Sequence, residues 1–184
     1  MSIVPNSKPQ KSRDAILNLL SANGVTEKVA VVGIRGYYRD TMGKPGVNDR
    51  GIYDDALFIV GQDGTFASFN ANTDPSSYRK GRGTGANKGM ADLKIGLYHA
   101  HQLGMHRGKY MALIQTGGTV TVIRDGTPDY EESGWFGINI HKGGYNTTSS
   151  LGCQTIHPDQ WPAFIGLVQN QMHAAKQSIM PYLL

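Results

Sequence analysis

Ala56-Leu-Phe-Ile-Val-Gly-Gln-Asp-Gly-Thr-Phe-Ala-Ser-Phe-Asn70 contains two strand-like runs, Ala56–Val60 and Thr65–Asn70, joined around Asp63-Gly64. Asp-Gly favours a tight hairpin, because the primed turns that match strand twist need positive φ. The same reading extends outward. Lys28–Ile34 (KVAVVGI) is a buried strand, and Leu93–Tyr98, Tyr110–Gln115 and Thr119–Ile123 are further strands, with Gly117-Gly118 turning between the last two. Trp135–Ile140 is a short apolar strand that delivers His141 at its end. Helical periodicity is confined to the two ends of the chain. Ser12 reads as an N-cap before Asp14, Ala15, Ile16, Leu19 and Leu20, with Gly24 as the stop. Trp161, Phe164, Ile165, Val168 and Met172 form the apolar stripe of a second helix, with Asp159 near its start. Many hairpins, few helices and no βαβ repeat predict a mainly β fold with flanking helices, mixed or barrel-like.

The chain has 184 residues, enough for one domain with a real core. Residues 1–11 are polar and read as a flexible tail, leaving 12–184 as a single domain. With 39% hydrophobic and 17% charged residues the composition excludes disorder, and 24 glycines suit a sheet protein with many turns. A net charge of +4 fits an anionic polymer such as cell wall, while no nucleic-acid motif appears. The polar first residues lack a secretion signal, and no run approaches the roughly 20 apolar residues of a membrane span. The expectation is synthesis in the cytoplasm, with any target outside reached by release or delivery. Two long loops, Arg35–Asp54 and Thr73–Gly89, break the strands, the second carrying Tyr78, Arg79, Lys80, Arg82 and Lys88. Neither matches a phosphate-binding motif. Asp49, Asp54 and Asp55 fit no calcium-loop spacing and read as solvated turn acids.

The chemistry concentrates in His141-Lys-Gly-Gly-Tyr-Asn-Thr-Thr-Ser-Ser-Leu-Gly-Cys153, which holds the only cysteine of the chain. A thiol attacks as the thiolate, which a histidine within hydrogen-bond reach generates by taking the proton. Eleven residues separate His141 from Cys153, and a loop of that length with glycines can fold back so that the two meet. Gly152 lets backbone approach a substrate closely, and amides beside Cys153 are placed to stabilise an oxyanion. Thr148, Ser149 and Ser150 offer hydroxyls to orient the imidazole or hold substrate. On residue type alone, a single cysteine is as readily inert packing as nucleophile.

Ile140-His141 followed by Ser150-Leu151-Gly152-Cys153 resembles the active-site signature of the L,D-transpeptidase (YkuD-like) catalytic domain. Leu93-Lys-Ile-Gly-Leu-Tyr98 and the run from Tyr110 through Trp135-Phe-Gly-Ile-Asn-Ile-His141 fit the same pattern, so the resemblance spans about Lys28 to Trp161. It implies an L,D-transpeptidase-like β-sandwich or barrel that acts on bacterial peptidoglycan stem peptides without a cofactor. Cys153 would be the nucleophile, His141 its base, Ser150 the support of the loop, and the amides beside Gly152 part of the oxyanion hole. Tyr98, His101, Ser149 and Thr155 would bind substrate. The chain departs from the pattern in having Leu151 where a second histidine is usual, Thr155 where arginine or asparagine is common, and a shorter His–Cys spacing. Transfer to an amine and hydrolysis both stay open, and the lean architecture resembles a phage-type lysin or a delivered interbacterial toxin. Two other readings stand beside it: a non-catalytic wall-binding module using the loop Arg79–Lys88, and a zinc hydrolase built on His99, His101 and His106, which lacks a supporting ligand motif.

Overall fold

The computed structural model describes residues 2–83 and 85–184. In chain order it contains α1 (Arg13–Ala22), β1 (Ala30–Ile34), β2 (Asp55–Val60), β3 (Phe66–Asn72), β4 (Ala91–Leu93), β5 (Leu97–His106), β6 (Tyr110–Gln115), β7 (Val120–Arg124), β8 (Tyr130–Gly134), β9 (Ile140–Lys142), β10 (Gln154–Ile156), α2 (Trp161–Ala175) and β11 (Met180–Leu183). Eight strands close a barrel in the order β1-β11-β5-β6-β9-β10-β3-β2, and β4-β7-β8 form a second small sheet. The fold is mainly β with a helix towards each end, as the strand and helix patterns predicted. No helix among the described residues is long and apolar enough to cross a membrane.

The β2–β3 hairpin turns at Asp63-Gly64, where Gly64 takes φ 89° and the Asp63 carboxylate accepts from the Thr65 amide. Every residue of β2 is buried, because the strand is covered on both faces. Leu57 and Ile59 point into the barrel core with Val31, Phe69 and Ala71, while Ala56, Phe58 and Val60 lie under Ile16 and Leu20 of α1. This explains why Ala56–Val60 reads as one apolar run with no alternation. Ser12 caps α1 by accepting from Ala15 N at 3.1 Å. The α2 stripe Trp161, Phe164, Val168 and Met172 joins the barrel cluster, with Phe164 edge-on to Phe69.

Within the segment 2–11, Ile3 O accepts from Tyr53 N, Ser7 O from Tyr38 Oη, and Gln10 exchanges two bonds with Tyr37 Oη. Three expectations are corrected. Gly117-Gly118 makes no hairpin, since β6 pairs in the barrel and β7 in the small sheet. The apolar run Trp135–Ile140 is mostly a crossing segment, and His141 stands in the middle of β9 instead of after a strand. Asp54 and Asp55 are fully buried, not solvated.

Candidate active site

β9 and β10 run parallel, with Ile140 beside Gln154, His141 beside Thr155 and Lys142 beside Ile156. Ile140 and Ile156 point into the core, so the alternating positions His141 and Thr155 share the other face. Extending that register by one step each way puts Asn139 opposite Cys153 on the same face. The pairing is direct: Gln154 N donates to Asn139 O at 2.8 Å, and Asn139 N donates to Cys153 Sγ at 3.4 Å. Cys153 and His141 are therefore diagonal neighbours on one strand pair. Parallel strands need a long connection, and residues 143–153 supply it. Folding back of the His141–Cys153 loop follows from this pairing.

His141 is buried, and its Nδ1 lies 2.7 Å from Lys142 O. A carbonyl only accepts, so Nδ1 carries the proton and Nε2 keeps its lone pair. Burial, aided by the nearby His106 and Arg107, pushes the imidazole pKa down to about 4. His141 is therefore a neutral base over the physiological range. Cys153 is half-buried, its S–H donates to Gly137 O at 3.3 Å, and burial pushes its pKa up. The resting pair is a neutral thiol and a neutral imidazole. Apo catalytic contacts often tighten only with substrate in place.

Ser150 supports the loop. Its hydroxyl donates to Cys153 O at 2.7 Å and accepts from Gly152 N at 3.0 Å. Gly152 takes φ 142°, and a Cβ there would meet Ala91 O at 2.3 Å, so both conformation and space demand glycine. The loop is anchored from outside as well. Ser76 N donates to Ser150 O, Ser150 N donates to Ser76 Oγ, and Tyr53 Oη donates to Gly144 O. Ser149 is exposed at φ 56° and Leu151 is 66% exposed beside the thiol. Thr155 is fully buried next to His141 and presents nothing at the surface. Tyr98 is half-buried, and its Oη bonds to the carbonyls of Lys94 and Thr121.

The three clustered histidines go to three places. β5 carries one extra residue against β11, since His101 pairs with Met180 but Tyr98 pairs with Tyr182. This bulge breaks the alternation that would put His99 and His101 on one side. His99 is exposed on Glu27, and His101 is fully buried with Nε2 2.9 Å from Ile138 O. His101 does not line an open groove, which corrects the substrate-binding role expected for it. His106 reaches the site: its ring stacks on His141 with centroids 4.2 Å apart. Among the described residues, no three His, Cys, Asp or Glu side chains gather to hold a metal.

Two residues around His106, namely Asn139 and Gln115, have no signature in the sequence. Asn139 Oδ1 accepts from the Gln115 amide at 2.8 Å, which fixes its amide so that Nδ2 faces His106 Nδ1 at 3.1 Å. His106 Nδ1 must then accept, and its proton sits on Nε2. The Gln115 side chain holds the crossing segment, donating to Gly118 O and Gly134 O and accepting from Phe136 N and Ile138 N. That segment carries Gly137 O, the acceptor for the thiol. No family model, curated protein or solved structure matches the chain. The geometry of these residues is therefore the basis for assigning a function.

A second polar cluster lies on the far side of the loop. Arg50 grips Asp125 with two bonds of 2.6 and 2.8 Å, and Arg35 pairs with Asp92 at 2.8 Å. Asp55 accepts from Gly36 N and from both the amide and hydroxyl of Thr73. Burial, with the charge of Asp55 added, pushes Asp54 up to about 7 and Asp74 up to about 9.

Proposed function

We propose that the chain is a cysteine acyltransferase of L,D-transpeptidase-like type, acting on the stem peptides of bacterial peptidoglycan. The observation that carries the reading is the shared face of His141 and Cys153 on β9 and β10, with Nδ1 of His141 committed to Lys142 O. That arrangement leaves Nε2 as the base. It takes the thiol proton as Sγ attacks a peptide carbonyl carbon, and the displaced amine leaves with that proton. The thioester is then attacked by water or by a second amine, His141 takes the attacking group's proton, and the thiol is regenerated. Arg107 is close enough to lower the pKa of both Cys153 and His141, and Lys142 adjoins the base. This positive edge suits substrates that bear free carboxylates.

The test is mass spectrometry of muropeptides after incubation of purified sacculi with the protein. Wild type should give shortened stems if water is the acceptor, or new crosslinks if an amine is. Cys153→Ala and His141→Ala should each lower turnover at least about a thousandfold, with circular dichroism unchanged. Unaltered muropeptides with wild type, or full activity in either variant, would remove this reading.

A further inference from the structure

Asp54 and Asp74 are left with unmatched oxygens in the cluster behind the loop. Asp54 Oδ2 accepts from Asp49 N at 2.9 Å, and Asp74 Oδ2 accepts from Asn48 Nδ2 at 2.6 Å. The adjacent residues Asn48 and Asp49 thus bring the two carboxylates together. Asn72 Nδ2 donates to Asp74 O at 2.5 Å, and the β2–β3 register, extended by one pair, sets Asn72 opposite Asp54. Four oxygens are buried here without a hydrogen-bond partner among the described residues: Asn48 Oδ1, Asp54 Oδ1, Asn72 Oδ1 and Asp74 Oδ1. Asn72 and Asp54 are both fully buried and Asp74 is 1% exposed.

Swapping the amide orientations does not remove the problem. Asn72 Nδ2 faces a backbone carbonyl and Asn48 Nδ2 faces Asp74 Oδ2, which only accepts once Asp74 is ionised, so with the carboxylates charged the nitrogens face these oxygens and the Oδ1 atoms face away. With both carboxylates ionised, every group left over is an acceptor. Buried acceptors require a donor or a cation, and the net charge of the cluster favours the cation. Among the described residues, the cationic side chains paired with this group of five buried or half-buried carboxylates (Asp54, Asp55, Asp74, Asp92 and Asp125) are Arg35 and Arg50.

We propose that Asp54, Asp74, Asn48 and Asn72 form a binding site for a hard divalent cation of the calcium class. The donors are carboxylate and amide oxygens, with no nitrogen or sulfur, which suits calcium over zinc or copper. A preformed set of protein oxygens also suits calcium better than magnesium, which prefers to keep its waters. The two carboxylates flank the anchors of the candidate active-site loop. Tyr53, which holds Gly144 O, precedes Asp54, and Ser76, which holds both backbone groups of Ser150, lies two residues after Asp74. Bound cation would therefore stiffen the loop that carries Cys153.

The experiment is thermal unfolding of the full chain, stripped with chelator at pH 8, with and without millimolar calcium or magnesium. Calcium should raise the melting temperature by several degrees and magnesium by less. Asp54→Asn puts an N–H donor where the cation would sit, so this variant should melt at or above metal-free wild type and lose the calcium response; Asp74→Asn should lose it too. Asp63→Asn, in the exposed β2–β3 turn, should keep it. Terbium luminescence excited through tyrosine, displaced by calcium, reads the site in wild type without any variant. No calcium shift together with no displaceable terbium signal, or a shift that survives in Asp54→Asn and Asp74→Asn, would overturn the proposal. None of these readouts depends on peptidoglycan activity, so the two proposals fail separately.

Discussion

Asn139 sets the protonation pattern at the candidate active site. The Gln115 amide donates to its Oδ1, so its nitrogen donates to His106 Nδ1 and keeps that ring neutral. Burial and Arg107 push the His106 pKa down in the same direction. Asn139→Asp replaces the donor with a carboxylate, which favours a proton on Nδ1. The His106 imidazole should then titrate at higher pH than in wild type, read by two-dimensional NMR of the ring nitrogens. An unchanged titration would remove the tautomer assigned here. Cys153, His141 and Ser150 were legible in the sequence because a thiol, a base and a hydroxyl near glycine carry a chemical signature. Asn139 and Gln115 carried none, and His106 stood out only as one of three clustered histidines, since their roles exist only once β5, β6 and β9 lie side by side.

At the scale of elements, legibility followed the range of the interactions. The Asp63-Gly64 hairpin and the Ser12 cap depend on neighbours in sequence and were readable there. The three-residue strands β9 and β10 depend on a partner across the loop, and β10 was invisible for that reason. The burial of Asp54 and Asp55 was hidden likewise, because the donors that hold them come from the loop Arg35–Asp54 and from Thr73. The two helices should differ in what they contribute. Ser12→Ala removes one cap bond from α1 and should cost about 1 kcal/mol. Phe164→Ala empties a fully buried site shared by α2, Phe69 and Trp161, and should cost about 3–5 kcal/mol. Urea unfolding of both variants measures the difference, and equal losses would show that α2 is not part of the barrel core.

For the whole molecule, two buried histidines tie stability to pH. His101 and His141 both have folded pKa values pushed down to about 4, from an ordinary value of 6.5, by desolvation first. Between those values the unfolded chain takes up protons that the folded chain refuses. The histidine contribution is therefore full above about pH 6.5 and falls as pH drops towards 4, by up to about 1.4 kcal/mol per pH unit for each histidine, while Asp54 and Asp74, raised by burial to about 7 and 9, contribute with the opposite sign over the same range. His101→Gln should flatten part of that slope in urea titrations between pH 4 and 7. An unchanged slope would show that His101 takes its proton without unfolding.

β11 is inserted between β1, which it meets in parallel, and β5, which it meets antiparallel. Those two strands are not neighbours in the barrel order, where β11 alone joins them on that side. A chain leaving the ribosome thus holds β1 and β5 apart, each with an open row of backbone donors and acceptors, until residues 180–183 emerge. During synthesis the nascent sheet is a partly zipped cylinder with two sticky seams, and its vulnerability to wrong pairing ends only when β11 slots between them.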